Sequence, residues 1–411
     1  MGRTIEASSI RNFASEGNKS PIESELSPLS GSFALFLPQN NVVSLHPEQS
    51  LAQIGGLTAS SASDILQQPA GNIAMKENKV DAQTVLVTGG AGYIGSVVVS
   101  QLIEVGHKVI VYDNFSRGHP QAVSDPRISV VKGDLADKSL LLQTMRNGDV
   151  QTVMHFAAFI EAGESMKKPE LYFQNNTANS LNLLVAMLEA HVDTFIFSST
   201  AAVYGTPRKV PIEESAPLEP TNAYGASKLL VENIIAWFHQ IHGLRYTSLR
   251  YFNACGAAES LGEHHQPESH LIPLAIEAIM GRRPKLYLYG TDYETRDGTC
   301  IRDYIHVSDL AEAHLLALNA MAQKKEGRLI YNLGSEKGFT NREVIEAVGR
   351  VVGKSVPVDE IGRRPGDPPI LVASSEKIRR ELGWKPKFTD LEAMIHTAYE
   401  WRLRHPDGYS S

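Results

Sequence analysis

The sequence predicts an α/β fold, in which a doubly wound parallel sheet of about seven strands is joined by a second, smaller lobe. Short β-rich runs alternate with amphipathic helical stretches, the pattern of a parallel sheet covered on both faces. A glycine-rich turn follows the first run. The chain has 411 residues, 42% of them hydrophobic. It can hold more than one core, because single cores stop growing at roughly 250–300 residues.

Seven runs rich in β-branched, aliphatic or aromatic residues are the predicted strands. In chain order they are Thr84–Thr88, Lys108–Tyr112, Ile128–Lys132, Thr152–Phe156, Thr194–Ser198, Tyr246–Tyr251 and Leu329–Leu333. Helical patterns separate most of these runs. Consecutive strands joined by helices are therefore expected to lie parallel, with their carboxyl ends at one edge of the sheet.

The smaller lobe is predicted from two stretches that look irregular and are richer in glycine, proline and charge. One is Gly262–Arg296, and the other is the C-terminal tail. We expect the sheet domain to comprise residues 83–252, with residues 301–335 returning to it. The substrate-binding lobe then comprises residues 253–300 and 336–411.

The N-terminal part of the chain differs in composition from the rest. Its first 74 residues contain 13 serines and show no periodic apolar pattern. Such a segment has too little apolar surface to form a core, so residues 1–82 are predicted to be a disordered extension. A second interpretation is that Met75 is the true start, because a predicted strand begins nine residues later.

Charge and cysteine usage exclude several classes of function. The formal net charge is −7, and the chain has no run of lysine or arginine, which disfavours nucleic acid and anionic membranes as partners. Cys255 and Cys300 are far apart and not in a CxxC spacing, so neither a disulfide framework nor a metal site is expected. No apolar run approaches the ~18 residues of a membrane span. These features favour a cytoplasmic protein.

The glycine-rich turn carries the first functional signal. The run Thr-Gly-Gly-Ala-Gly-Tyr-Ile-Gly places Gly89, Gly92 and Gly95 between a strand and a helix. These glycines suit a tight turn, close approach of the backbone to a pyrophosphate, and packing of the helix on the strand. Asp113 closes the second strand, where a carboxylate binds ribose hydroxyls and repels a 2′-phosphate. The sequence therefore predicts a Rossmann-type site that prefers NAD to NADP.

Asp134, after the third strand, is open to two interpretations. It could accept a hydrogen bond from the adenine, or it could be the N-cap of a helix that begins near Lys138.

Tyr224 and Lys228 form the predicted catalytic pair. Their i, i+4 spacing puts them on one face of a helix. An ammonium group near a phenol lowers the pKa of the phenol, which would make Tyr224 a general base near neutral pH. Thr200 lies at the carboxyl end of the fifth strand, where its hydroxyl could relay a proton. A helix cap is the alternative role of Thr200.

These motifs occur together in an order typical of one family. TGGAGYIG, Asp113, His155-Phe156-Ala157-Ala158, Ser-Ser-Thr200, Tyr224-Gly-Ala-Ser-Lys228, Arg250-Tyr-Phe-Asn253 and Arg302-Asp-Tyr304 follow one another along the chain. The chain resembles the extended short-chain dehydrogenases, and in particular the NAD-dependent UDP-sugar 4-epimerases. The resemblance covers about residues 84–400.

The resemblance implies a hydride-transfer isomerase with NAD as cofactor and a UDP-sugar as substrate, UDP-glucose/UDP-galactose first. It assigns cofactor binding to Gly89, Gly92, Tyr93, Ile94, Gly95, Asp113, Asn114, Asp134, Leu135, Phe156, Ala157, Ala158, Asn175, Tyr224, Lys228 and Phe252. It assigns substrate binding to Thr200, Tyr224, Asn253, His270, Leu271, Tyr287, Tyr289, Arg302, Arg364, Asp367 and Leu371.

Several of these residues take specific roles by the same resemblance. Arg302 and Arg364 would clamp the pyrophosphate, with Asp367 on the ribose; surface salt bridging is the alternative. Leu371 would limit the space beside C2 of the sugar. Some family members carry a lysine on the cofactor pyrophosphate where this chain has Ile160, so part of that contact is expected from another residue.

Other activities of the same fold remain as alternatives. The substrate could be a UDP-N-acetylhexosamine or UDP-xylose/arabinose, since 4-epimerisation touches the same ring carbon in each. A nucleotide-sugar dehydratase needs an acid and a base beside the relay threonine, where this chain has Ala201-Ala202. A UDP-glucuronate decarboxylase and an NAD-binding module without turnover complete the set. Both Tyr224 and Lys228 are present, which favours an enzyme.

A homodimer is also expected. The helix that begins near Tyr224 continues through Leu229-Leu230, Ile234-Ile235 and Trp237-Phe238. That apolar surface is wider than one sheet-facing stripe requires. The resemblance implies a four-helix interface with the helix near Thr177–Ala190, and burial under the smaller lobe is the alternative.

Overall fold

The computed structural model describes residues 81–323 and 327–409. The expectations for residues 1–80 lie outside the described residues. The strands are β1 Thr84–Thr88, β2 Lys108–Asp113, β3 Ser129–Lys132, β4 Thr152–His155, β5 Thr194–Thr200, β6 Arg245–Tyr251, β7 Asn253–Cys255, β8 Leu286–Tyr289, β9 Ile301–His306, β10 Arg328–Leu333, β11 Gly338–Thr340, β12 Val358–Ile361 and β13 Ile370–Leu371.

The helices alternate with these strands over most of the chain. They are α1 Tyr93–Glu104, α2 Lys138–Asn147, α3 Ala162–Ser165, α4 Pro169–Tyr172, α5 Asn179–Ala190, α6 Ala223–His242, α7 Leu271–Ile279, α8 Val307–Gln323, α9 Asn341–Val352, α10 Glu376–Leu382 and α11 Leu391–Arg404. None of the helices in the described ranges combines the length and the apolar character that a membrane crossing requires.

Seven strands form one parallel sheet in the order β10-β6-β5-β4-β1-β2-β3, and every neighbouring pair runs parallel. Each predicted strand corresponds to one of these seven, with ends that differ by at most two residues. The predicted doubly wound α/β fold is confirmed. The chain order reverses between β1 and β4, and ligands of such sheets bind in the crevice at that point.

Apolar cores lie on both faces of the sheet. On one face, Leu102 of α1 and Leu310 of α8 are buried in a cluster with strand residues such as Val87. On the other face, Leu183 of α5 and Val231 of α6 belong to a second cluster that also contains α2 residues. Both faces of the inner strands are therefore covered, which explains why these runs read as continuous apolar segments; the edge strand β3 is mostly exposed.

The smaller lobe is more regular than the sequence analysis expected. Gly262–Arg296 contains α7 and β8, and the tail contains helices α9, α10 and α11. One signal was present in the sequence: Thr340 and Glu343 form a capping box at the start of α9. Strand β9 pairs with β7, β11 and β13 in a small sheet. Residues 301–306 therefore belong to the small sheet by strand pairing, although Ile305 packs in the cluster that covers one face of the large sheet.

A buried ion pair joins α6 to the large sheet. Arg250 of β6 donates from Nε to Oε1 of Glu232 on α6 over 2.9 Å, and its Nη2 lies 2.5 Å from Oε2. The side chains are only 3% and 7% exposed. Because the contact is bidentate, it fixes the orientation of α6 against the sheet, and this helix carries the predicted catalytic pair.

Candidate functional site

A cavity of about 430 Å³ opens at the carboxyl ends of the parallel strands. Every residue that the sequence analysis assigned to cofactor binding, substrate binding or catalysis lines it. These residues come from both the large sheet and the smaller lobe. The structure therefore brings the whole predicted set together at the crevice between β1 and β4.

The glycine-rich turn closes the cavity at the end of β1. Gly89 adopts a positive φ of 71°, and a Cβ there would lie 2.5 Å from the backbone nitrogen of Ala157. At Gly95 a Cβ would lie 2.3 Å from the carbonyl oxygen of Gly89. Gly92 begins α1 without a side-chain cap, which suits the first helical N–H groups to an anion. These positions fit the pyrophosphate of a dinucleotide.

Asp113 stands at the end of β2 with a side chain held in place by the backbone. Its Oδ2 accepts a hydrogen bond from the N–H of Ala91 at 3.0 Å, and its Oδ1 accepts one from Phe115 at 2.8 Å. Burial raises the pKa of the Asp113 carboxyl, and these two bonds oppose the rise. Each oxygen keeps a further lone pair, so the carboxylate can still accept ribose hydroxyls.

Asp134 is not the N-cap that was considered as an alternative. The cap of α2 is Asp137, whose side chain accepts the N–H of Leu140 at 2.9 Å. Asp134 instead accepts a hydrogen bond from Nδ2 of Asn114 at 2.7 Å. Both residues line the cavity. The N-cap interpretation of Asp134 is therefore excluded, and its role in cofactor binding stays a prediction.

Tyr224 is the second residue of α6, whose start is fixed by a side-chain cap. Oδ1 of Asn222 accepts the N–H of Gly225 at 2.8 Å, a cap that the sequence analysis missed. The phenol of Tyr224 is hydrogen-bonded by Thr200. Burial raises the pKa of Tyr224 to about 12, the Thr200 bond lowers it, and the charge of Glu161 raises it. Thr200 also caps the turn after β5, so the capping role is observed, and its contact with the phenol is compatible with the relay role, which stays a prediction.

Lys228 does not lower the pKa of Tyr224 in the ligand-free chain, contrary to the sequence-based expectation. Its Nζ donates to the carbonyl oxygen of Ser198 over 2.8 Å and lies 4.9 Å from the ring centre of Phe197. Burial lowers the pKa of Lys228 to about 7. Burial is the largest cause of the pKa shift of both groups, and Lys228 is not among the groups that shift the pKa of Tyr224.

Two arginines meet at one carboxylate on the substrate side of the cavity. Nε of Arg364 lies 2.9 Å from Oδ2 of Asp367, and Nη2 of Arg302 lies 3.7 Å from Oδ1. The guanidinium of Arg364 also lies 5.4 Å from the ring centre of Tyr289. Tyr287 and Tyr289 are large exposed aromatic side chains on β8. Aromatic faces beside paired guanidiniums suit a base and its phosphates.

The remaining predicted substrate residues border the same space. Asn253 begins β7 and hydrogen-bonds the phenol of Tyr304. His270 is the N-cap residue of α7, and Leu271 is its first residue. Leu371 is 9% exposed and belongs to an apolar cluster with Phe252. It thus faces the cavity and also packs, so its two predicted interpretations are compatible with its position.

Two charged residues near the cofactor end were missed. Arg117 lines the cavity, 5.7 Å from the ring centre of Phe159 and 4.0 Å from Oε1 of Glu161. It supplies a cation close to Ile160, where some family members have a lysine. Its position four residues after Asp113 was a usable signal. Glu161 carried no such signal, because only the fold brings it near Tyr224.

Comparisons with known proteins agree with this geometry. Residues 85–334 match the model of the NAD dependent epimerase/dehydratase family. A UDP-glucose 4-epimerase of Streptococcus mutans is 48% identical over 79% of this chain and 98% of its own length. The crystal structure of UDP-glucose 4-epimerase from Brucella ovis in complex with NAD has a TM-score of 0.74 and 45% identity, and covers 78% of this chain and 98% of its own.

A second similar structure contains a uridine nucleotide. It is UDP-glucose 4-epimerase from Bifidobacterium longum in complex with NAD⁺ and UDP, with a TM-score of 0.76 and 37% identity over 79% of this chain and 100% of its own.

Proposed function

The chain belongs to the NAD-dependent epimerase/dehydratase family, and we propose that it inverts the configuration at C4 of UDP-glucose and UDP-galactose. The observation that carries the proposal is the shared cavity in which Tyr224, Lys228 and Thr200 lie with the glycine-rich turn and the paired arginines. Hydride abstraction at C4, rotation of the 4-keto intermediate and hydride return from the other side account for the inversion.

NAD is the cofactor of this enzyme, and the residues of the chain fit it. A side chain at Gly89 or Gly95 would collide with backbone, which keeps the turn narrow beside the start of α1. Asp113 would hold the adenosine ribose, and Lys228 would hold the nicotinamide ribose. When bound, NAD supplies a hydride acceptor and then a hydride donor, and its oxidised nicotinamide ring carries a positive charge.

The proton of the sugar hydroxyl is handled by Tyr224 and Thr200. The hydroxyl of Thr200 is hydrogen-bonded to the phenol of Tyr224. It can therefore pass the proton between the 4-hydroxyl of the sugar and Tyr224. A phenol with a pKa of about 12 is protonated at neutral pH, so positive charge in the loaded cavity must stabilise the phenolate. Lys228, 2.8 Å from the Ser198 carbonyl, is the cation that the chain itself provides.

A direct assay tests this function. Purified protein incubated with UDP-galactose should produce UDP-glucose until both are present at equilibrium, as followed by ¹H NMR of the anomeric signals. Bound NAD(H) should be detectable by its absorbance and fluorescence. Release of water or CO₂ from the sugar would identify a dehydratase or a decarboxylase. Bound cofactor without turnover of any UDP-sugar would identify a non-catalytic NAD-binding module.

The choice between these activities rests on the two residues after Thr200. They are Ala201 and Ala202, and both line the cavity. A dehydratase needs an acid and a base at these positions, and alanine can supply neither. Besides NAD, epimerisation needs only the phenol, the lysine and the relay hydroxyl, all of which the chain has. The sugar itself is chosen by the size of the pocket beside Leu371.

Leu371→Tyr tests whether this side chain sets the substrate range. We expect the wild type to prefer UDP-glucose/UDP-galactose strongly, with slower turnover of UDP-N-acetylglucosamine, because leucine leaves more room beside C2 than tyrosine does. In the variant the N-acetyl activity should fall about 5–150-fold, since overpacking costs roughly 1–3 kcal/mol, while UDP-galactose turnover survives. Parallel kcat/KM measurements check this. An equal fall of both activities would make Leu371 a packing residue only.

Asp113→Ala should reduce the preference for NAD over NADP. The carboxylate is expected to accept ribose hydroxyls, and hydrogen bonds to charged groups contribute about 1.5–3 kcal/mol, or roughly 10–100-fold in Kd. Titration of both cofactors into stripped protein measures the ratio. Asp113→Asn is a second variant that removes the charge and one of the two oxygens that accept the N–H groups of Ala91 and Phe115, so the NAD preference should fall in the same direction. An unchanged ratio in both variants would assign ribose recognition to another residue.

A cytoplasmic homodimer completes the proposal. Trp237 and Ile241 of α6 are 62% and 64% exposed, and Leu181 and Leu188 of α5 are 40% and 41% exposed. The two helices can form a four-helix interface with a second copy, because exposed apolar side chains of this size are normally covered. Sedimentation at micromolar concentration should give the mass of a dimer. A monomer would contradict it.

Both cysteines are buried and free, in keeping with a reducing compartment.

A further inference from the structure

Four metal-ligating side chains lie together on the segment between β7 and α7. They are Glu263, His265, Glu268 and His270, and one ligand atom of each lies within 4.8 Å of the others. All four come from eight consecutive residues with the spacing E-x-H-x-x-E-x-H. Three of them also line the cavity, but the proposed epimerisation uses none of the carboxylates. The cluster therefore needs a separate explanation.

The ligand atoms of this cluster approach one another closely enough to surround a small ion. Nδ1 of His270 lies 2.8 Å from Oε1 of Glu263 and 3.1 Å from Oε1 of Glu268. Nδ1 of His265 lies 3.3 Å from Oε1 of Glu263 and 3.7 Å from Oε2 of Glu268. Ligands held at about 2.0–2.2 Å in a tetrahedron are about 3.4 Å apart, and the four distances bracket this value.

Two atoms of the cluster are buried without a hydrogen-bond partner among the described residues. They are Nδ1 of His265 and Oε2 of Glu268, 3.7 Å apart. The side chain of Glu268 is only 5% exposed. A buried carboxylate oxygen left without a donor is unfavourable. One cation between the two atoms would satisfy both. It would also replace the proton that Nδ1 of His270 shares with the carboxylates, because a ring nitrogen must be deprotonated to bind a metal ion, and this proton is released to solvent.

We propose that Glu263, His265, Glu268 and His270 bind one Zn²⁺ ion. Two imidazole nitrogens and two carboxylate oxygens are ligands that Zn²⁺ takes, whereas Mg²⁺ and Ca²⁺ prefer oxygen alone. Two carboxylates also balance a divalent charge. Four protein ligands fill the tetrahedron and leave no open position, so the ion is structural and not catalytic.

The ion would tie this segment to the wall of the cavity. His270 is the N-cap residue of α7, and Leu271 after it lines the cavity. On the other side, the ring of Tyr93 stands edge-on to His265 with 6.2 Å between centroids. The hydroxyl of Tyr93 donates to the carbonyl oxygen of Gly256 over 2.6 Å. The ion thus links the start of α7 to Tyr93, the first residue of α1. This structural role does not depend on which reaction the cavity catalyses.

Metal analysis of the untagged full-length protein tests the proposal. The wild type is loaded with Zn²⁺ in slight excess, transferred into metal-free buffer by gel filtration, and measured by inductively coupled plasma mass spectrometry. It should retain about one Zn²⁺ per chain, as expected for a structural site. Glu268→Gln removes a ligand charge at nearly constant shape, and it should retain at least about tenfold less Zn²⁺ under the same conditions.

Glu400→Gln is the matched control for loss of a carboxylate, because Glu400 is 55% exposed on α11 and lies outside the cluster; it should retain as much Zn²⁺ as the wild type. Circular dichroism checks that each variant is folded. A second measurement needs no variant, since Co²⁺-loaded wild type should show the visible absorption of a tetrahedral site. Wild type that retains no more Zn²⁺ than Glu268→Gln, or Co²⁺ without tetrahedral bands, overturns the proposal and leaves an ion-pair cluster.

Discussion

Tyr224→Phe should lower kcat by about 10²–10⁴ while NAD stays bound, because general-base catalysis contributes about that much. The substitution removes one oxygen, which is hydrogen-bonded by Thr200 and whose proton affinity the cavity sets. The groups expected to hold the cofactor, Asp113 and Lys228 among them, remain. The rate of UDP-galactose conversion and the absorbance of bound cofactor are measured on the same sample.

Tyr399→Phe provides the matched control, since Tyr399 lies on α11 and is not among the residues that line the cavity. It should keep wild-type kcat and wild-type cofactor content. A Tyr224→Phe variant that keeps near-normal kcat would exclude the phenol as the base. A variant that loses NAD as well would show that the phenol holds the cofactor, and the fall in rate would then say nothing about proton transfer.

The large sheet was predictable because its strands are covered on both faces. A buried parallel strand such as Thr194–Thr200 reads as one continuous run of apolar and small residues. The strands of the smaller lobe gave no comparable signal. Ile370–Leu371 has two residues and Asn253–Cys255 has three, too few for a period. Their pairing with Ile301–His306 joins distant parts of the chain, which local patterns do not report.

Many of the predicted site residues belong to motifs that directly follow a strand of the large sheet. They meet in one cavity because the carboxyl ends of parallel strands lie at the same edge of the sheet. What the sequence could not give is the partner of each charge. Lys228 donates to a backbone carbonyl. Every residue has such a group, so the residue types in a sequence do not show which carbonyl a side chain will contact. The expectation of no metal rested on the two cysteines. That expectation did not consider the spacing E-x-H-x-x-E-x-H, which could bind an ion, as we propose, only where the segment folds back on itself.

Glu232→Gln should destabilise the protein by about 3–5 kcal/mol, because it leaves the guanidinium of Arg250 buried without its counter-charge. The pair is 3% and 7% exposed, so water cannot replace the lost carboxylate. Since Glu232 is on α6, the helix that carries Tyr224, activity should fall at lower denaturant concentration in the variant. Urea unfolding followed by circular dichroism gives the change in free energy, with the slope compared between variants.

Glu213→Gln is the matched control, since the Lys209–Glu213 pair is 79% and 57% exposed. Exposed pairs contribute about 0–1 kcal/mol, so this variant should unfold close to the wild type.

Replacing both Glu232 and Arg250 by methionine separates the effect of an unpaired buried charge from that of lost contacts, because the double variant keeps neither charge of the pair. It should recover part of the stability. The recovery is incomplete because Nη1 of Arg250 also donates to the Tyr204 hydroxyl at 2.9 Å. A double variant less stable than Glu232→Gln would show that the contacts of Arg250, rather than its charge balance, hold α6 to the sheet.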